Sequence, residues 1–183
     1  MKGLWIVLGI IGVLALIFVG LYNGLQTKDE ACNVAWGQVE NVLQRRFDLI
    51  PNMVEIVKGY AKHENQTFEN IAKFRTAWAG AKNTAEKVEA ATGLEQTLGR
   101  LMVVVENYPE LKANQNFLAL QDELAGTENR IAVERKRYND AVNLLNSSIR
   151  VFPGNLVAGM AGIVKREYFK ADEGAKTAPK IQF

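Results

Sequence analysis

The chain has 183 residues, 48% hydrophobic and 23% charged, with 22 basic against 20 acidic side chains and a formal net charge of +2. That length suggests one domain, and a balance so mild, with no Lys/Arg block, gives no reason to expect nucleic acid as a partner. One cysteine (Cys32) and one histidine (His63) exclude an intrachain disulfide framework and a His-rich metal site.

The first segment carries the strongest signal. From Gly3 to Thr27 there is no charged residue, and LWIVLGIIGVLALIFVGLY is almost wholly apolar. A helix needs about 20 such residues to cross the hydrocarbon core, so residues 3–22 are expected to contact membrane lipid. A cleaved signal peptide is the rival reading. Signal peptides have an apolar core of about 7–15 residues followed by small residues at the cut. Here the run is longer, and Phe18, Val19, Leu21 and Tyr22 match such a site poorly. An uncleaved single-pass anchor over 1–26 is the reading adopted. Lys2 precedes the span, and Lys28, Arg45 and Arg46 follow it. The positive-inside rule then leans toward an inside N-terminus with the bulk of the chain outside.

Asn23-Gly24 weakens helix continuity after the anchor, and Thr27 followed by Glu30 reads as a capping box. A long helix is expected from there to about Glu64. Its buried seam would be Cys32, Trp36, Val39, Leu43, Arg46, Ile50, Met53, Val57 and Tyr60, at 3-4 spacing. Pro51 lies inside and should kink this helix rather than end it, because the pattern resumes. A second helix starts near Thr67, with Phe68, Ile71, Ala72, Arg75 and Trp78 inward. A third stretch runs from Thr84 to Asn107, with Val88, Ala91, Leu94, Leu98, Leu101, Met102 and Val105 inward. Gly80 and Asn83-Thr84 leave open whether these are two helices or one bent one.

Tyr108-Pro109 sets a boundary, since the residue before proline is pushed out of the α region. The last long helix covers about Asn116 to Arg150, with a seam of Phe117, Leu124, Glu128, Ile131, Arg135, Tyr138, Val142, Leu145 and Ile149. Phe152-Pro153-Gly154 ends it. Asn155–Val164 is apolar but too short to cross a bilayer, so it packs in the core or rests on the membrane, the core being favoured. From Ala171 to Phe183 the composition reads as a loose polar tail. The expected fold is therefore all-α: an anchor (1–26), an antiparallel bundle of long helices (27–170) and a polar tail (171–183).

Arg46, Glu128 and Arg135 occupy seam positions, and Arg75 is a fourth candidate. They either bend their heads out to water or form an internal Arg–Glu network that sets helix register. If the network is buried, removing Glu128 costs about 3 kcal/mol. Asn129, Asn139, Asn143 and Asn146 crowd the last long helix although asparagine is a mediocre helix former. Interhelical amide bonds are one reading and plain solvent exposure the favoured one.

Candidate chemistry is sparse. His63-Glu64 lacks the second histidine of a metalloprotease motif. Cys32 sits on an apolar seam without a nearby base, so it reads as a buried structural thiol. Glu106 follows Val103-Val104-Val105 and reads as a helix-end residue unless burial raises its pKa. No catalytic, metal or cofactor site is expected. Gly20-x-x-x-Gly24 has a spacing that packs two membrane helices and would make the chain a homo-oligomer.

Three blocks carry a family resemblance. They are Arg45-Arg46-Phe47-Asp48-Leu49-Ile50-Pro51-Asn52-Met53-Val54-Glu55 with Val57-Lys58-Gly59-Tyr60, Glu106-Asn107-Tyr108-Pro109-Glu110-Leu111-Lys112-Ala113-Asn114, and Thr127-Glu128-Asn129-Arg130-Ile131-Ala132 with Arg135, Tyr138-Asn139 and Phe152-Pro153. In that order they resemble the LemA family across nearly the whole chain apart from the tail. The resemblance implies a bacterial protein held in the cell membrane by one N-terminal helix and folded as an α-helical bundle, with no catalytic residues to carry over. It also implies a small outside N-terminus, against the charge-based reading, so orientation stays open. Association of some members with membrane proteases or specialised membrane compartments implies a scaffold or adaptor with protein partners. The alternative is a membrane-remodelling or lipid-sensing protein that applies residues 155–166, with Lys165-Arg166, to the bilayer.

Overall fold

The computed structural model describes residues 2–61 and 64–169. His63 and the 171–183 tail therefore lie outside the described residues. Among the described residues six helices follow in order: α1 (Lys2–Tyr60), α2 (Asn65–Gly80), α3 (Thr84–Val105), α4 (Pro109–Lys112), α5 (Gln115–Ser148) and α6 (Gly154–Ala161). No strand occurs among the described residues, so the fold is all-α.

The expected break after the anchor is absent. One helix of 59 residues runs through Asn23-Gly24 and through Pro51. Thr27 does not cap a helix start: its hydroxyl donates to the Asn23 carbonyl one turn back, at 2.9 Å. Leucine-rich sequence on one side and buried Leu25 and Cys32 on the other keep the backbone helical where propensity alone is weak. The helix ends at Tyr60, short of Glu64.

The chain forms two compact units, one of residues 1–39 and 133–169, the other built on residues 40–132. In the second unit, α1, α2, α3 and α5 pack as alternating antiparallel helices. Partners across α1 and α5 run in opposite directions, Arg46 to Glu128 and Tyr60 to Asn114. Cys32, Trp36 and Val39 of the expected α1 seam belong to the first unit, and the rest falls here: Leu43, Ile50, Met53 and Val57 are fully enclosed, joined by Phe47. Tyr60 is exposed instead, and its hydroxyl accepts from Asn114 at 3.2 Å. Phe68, Ile71 and Trp78 line the inner face of α2, whereas Ala72 and Arg75 face outward. Phe47 stacks on Trp78 with ring centroids 4.7 Å apart.

α2 and α3 are two helices, and the reason is local. Asn83 caps α3, its side-chain oxygen accepting from the Glu86 N–H at 2.9 Å. The Glu86 carboxylate returns to Lys82 N and Asn83 Nδ2. This satisfies donors that a continuing helix would have used. Beyond Tyr108, α4 is a single turn with Pro109 at its first position, where the missing N–H is not needed. Asn114 then caps α5, accepting from Asn116 N and Phe117 N at 3.0 and 3.1 Å.

In the first unit, the start of α1 packs against the end of α5 and against α6. Residues 3–20 of α1 are exposed along their whole length. At a rise of 1.5 Å per residue, residues 3–22 measure about 30 Å, the thickness of a bilayer core. Trp5 and Tyr22 stand near the two ends, as aromatic residues do at membrane interfaces. Val157 and Ala158 of α6 bury against Leu25, with Leu21, Ile149 and Ile163 around them. The core reading of the 155–164 segment thus holds for one face alone: Leu156, Met160 and Val164 are exposed.

Gly154 fixes how α6 leaves α5. A Cβ there would lie 2.2 Å from the Ser148 carbonyl oxygen, a backbone atom that cannot swing aside. Gly154→Ala should therefore displace α6 and destabilise the chain by about 1–3 kcal/mol. A thermal melt of the full chain in detergent micelles checks this; an unchanged midpoint would contradict the packing described.

Candidate functional site

Two polar constructions stand out against the helical cores. The first is in the 40–132 unit. Arg46 Nη1 donates to Glu128 Oε2 at 2.5 Å, from a side chain only 10% exposed to one 41% exposed. Arg46 Nε is buried and finds no hydrogen-bond partner among the described residues. The guanidinium is therefore held inward, with one outlet to a half-exposed carboxylate. Beside it on the surface, Arg45 pairs with Glu123 at 2.8 Å.

The other two arginines of the expected network lie elsewhere. Arg75 is exposed and lines a cleft of about 260 Å³ with Glu40, Gln44, Asp48, Trp78 and Lys87. In that cleft Trp78 Nε1 donates to Gln44 Oε1 at 3.0 Å, and Lys87 pairs with Glu40. Arg135 belongs to the other unit, where its guanidinium stands over the Phe169 ring at 4.4 Å.

The second construction is in the unit of residues 1–39 and 133–169. After α6, the chain turns back along α5 as an irregular strap over 163–169. Two asparagines of α5 hold its backbone. Asn139 Nδ2 donates to the Phe169 carbonyl at 2.9 Å, and its Oδ1 accepts from Phe169 N at 2.8 Å. Asn146 repeats the pattern on Arg166, at 2.9 and 3.0 Å. The spacings match: seven helical residues rise about 10.5 Å, and three extended residues cover about 10 Å. Each amide thus replaces a neighbouring β-strand, pairing one N–H and one C=O that would otherwise be orphaned. The Tyr138 hydroxyl donates to the Glu167 carbonyl at 3.0 Å and the Tyr168 hydroxyl to Asn143 Oδ1 at 3.4 Å.

This corrects the solvent-exposure reading for Asn139 and Asn146, whereas Asn129 and Asn143 do face water. It also corrects the assignment of Arg166 to the bilayer. Arg166 Nε donates to Asp29 Oδ1 at 2.8 Å, which raises the Arg166 pKa and keeps the charge fixed. Trp36 lies 5.4 Å from the Tyr138 ring and 6.3 Å from that of Phe169, closing the strap over α1. Cys32 is fully enclosed, and burial pushes its thiol pKa up from about 9.0, with Arg166 opposing and Asp29 adding to the rise. A neutral, inaccessible thiol is a packing element. Glu106 is an exposed helix end paired with Lys112 at 2.6 Å.

Groups of three or more metal-type ligands do not occur among the described residues. What the two constructions do is hold helices in register and tie the strap to α5 and to Asp29 of α1. Sequence reading missed the strap because its anchor points are single asparagines without apolar periodicity. The only available signal was their seven-residue spacing.

A family model described as "LemA family" matches residues 35–183. Magnetosome proteins MamQ 2 and MamQ 1 of Paramagnetospirillum magneticum are each 28% identical to the chain over 208 residues, covering 93% of it and 73% of each relative. Protein LemA of Metamycoplasma hominis is 26% identical over 164 residues, covering 89% of the chain and 75% of the relative.

Two expected outcomes follow from these contacts. Glu128→Ala strands the Arg46 charge and should destabilise by about 1–2 kcal/mol. That is below the 3–5 of a fully buried pair because Glu128 is partly screened by water; a loss under about 0.5 kcal/mol in a denaturant titration would show that the pair carries nothing. Asn139→Leu with Asn146→Leu removes four strap bonds and should release residues 163–169. Amide exchange at Arg166 and Phe169 should rise many-fold while the 40–132 unit is unchanged; retained protection would mean that packing alone holds the strap.

Proposed function

The chain belongs to the LemA family, and from that premise we propose that it is a membrane-anchored scaffold or adaptor of the bacterial cell envelope. The family places it among membrane-associated proteins. The observation that carries the proposal is the continuity of α1. The uncharged segment passes into buried Leu25 and Cys32 without a loop or hinge. A flexible tether would let a domain search freely; an unbroken helix fixes the unit it enters to the membrane. Such a device suits a protein that presents a surface in a set place.

The polar constructions support the same reading. Most of their polar groups, the strap amides above all, are spent on one another and on backbone, as in a bundle whose task is to keep its shape. Exposed apolar side chains remain on the helices for partners to cover, among them Val103 and Leu118. The relatives named as magnetosome proteins fit a role at a specialised membrane compartment. The charge pattern around the span leans toward an outer side for the bulk of the chain, the reading carried as part of the proposal.

Photo-crosslinking amino acids at Val103 and Leu118 of the full chain, in the native membrane, test this. Reproducible adducts with a small set of proteins are expected at one or both positions. Adducts confined to lipid, or none above an unirradiated control, would overturn the scaffold reading.

A further inference from the structure

The face of α6 turned away from the core is unaccounted for by any packing among the described residues. Phe152, Met160 and Val164 are 78%, 76% and 72% exposed, and Val151 and Leu156 are exposed beside them. Five large apolar side chains within fourteen residues make a patch that water disfavours. An eight-residue helix rises only about 12 Å, too little to enter a bilayer end-on.

Its position says what covers it. Val157 and Ala158 seat α6 on Leu21 and Leu25 of α1. If residues 3–22 fill the hydrocarbon core, Leu21 and Leu25 mark its boundary, and the patch lies at the level of the headgroups. The charge pattern agrees. Between Asp140 and Glu167 there is no acidic residue, whereas Arg150, Lys165 and Arg166 all fall there. Asp29 takes Arg166. Arg150 and Lys165 open on a cleft of about 460 Å³, lined also by Asn143, Ser147 and Tyr168.

We propose that residues 151–164 form a second membrane contact, with the exposed face of α6 dipping into the interface and Arg150 and Lys165 binding the phosphates of anionic phospholipids. This rests on the reading of residues 3–22 as a lipid-crossing span and extends it: the protein grips the membrane at two places, through and along. An amphipathic helix lying in the interface gains from apolar burial and from anionic headgroups together. The occupant is a lipid surface, since the patch continues the lipid-facing surface of α1.

The test uses the full chain in vesicles of phosphatidylcholine, with and without phosphatidylglycerol. An environment-sensitive label is placed singly by Met160→Cys, by Ile10→Cys in the span, and by Val133→Cys as a water-facing control on α5. Buried Cys32 stays unlabelled. Quenching by headgroup nitroxide lipids should be several-fold stronger at 160 than at 133, and stronger again with phosphatidylglycerol. Arg150→Glu with Lys165→Glu should abolish that last increment and leave the signal at position 10 intact. Iodide reaching 160 as readily as 133, while position 10 is shielded, overturns the contact. An increment untouched by charge reversal overturns the phosphate assignment. A label at position 10 open to iodide would instead defeat the span reading, and the proposal with it.

Discussion

Everything in this protein hangs on a helix that cannot stop where its environment changes. Residues 3–20 of α1 present apolar side chains on every face, and they are exposed along their whole length among the described residues. In water that surface would be strongly unfavourable, whereas in lipid a helix is one of the two backbone forms that leave no polar group unsatisfied. Because the same helix continues past Leu25 and Cys32, the lipid requirement is passed on as a positional constraint. The residues of the 1–39 and 133–169 unit would be held where such a span leaves them.

That constraint makes sense of how polar groups are used. Buried charge is costly unless it is paired. Arg46, inside the seam, reaches out to a carboxylate at the surface. In the 1–39 and 133–169 unit, Arg166 closes on Asp29, and paired amides of Asn139 and Asn146 hold the strap. The strap brings the chain back from α6 along α5, so α6 is tied at both ends. Two apolar residues fix its inner face and a backbone-limited glycine fixes its entry. A short helix so restrained presents its outer face in one orientation. That is what distinguishes a built surface from a loop that happens to be greasy.

The helical content was legible because burial in a bundle leaves a period. Ile50, Met53 and Val57, or Leu94, Leu98 and Leu101, recur at three and four residues and need no knowledge of their partners. Where the expectation failed, a non-periodic cause was acting. Asn23-Gly24 does not break α1, since packing at Leu25 outweighs a local propensity of about 1 kcal/mol. Tyr60 leaves the seam because the helix ends there. Arg75 faces out because α2 turns a different side inward, with Phe68, Ile71 and Trp78.

By itself the sequence determined a lipid-length span, the placement of long helices and the one-sided burial of each, since all three depend on composition and spacing along one stretch of chain. It also carried the family, through blocks in fixed order. Tertiary structure alone decided that Arg46 meets Glu128 while Arg135 lies over Phe169, that two asparagines seven residues apart grip a strap, and that α6 is half core and half surface. These pairings join residues tens of positions apart. A single amide or guanidinium leaves no periodic trace, so its partner is set only when the helices have packed.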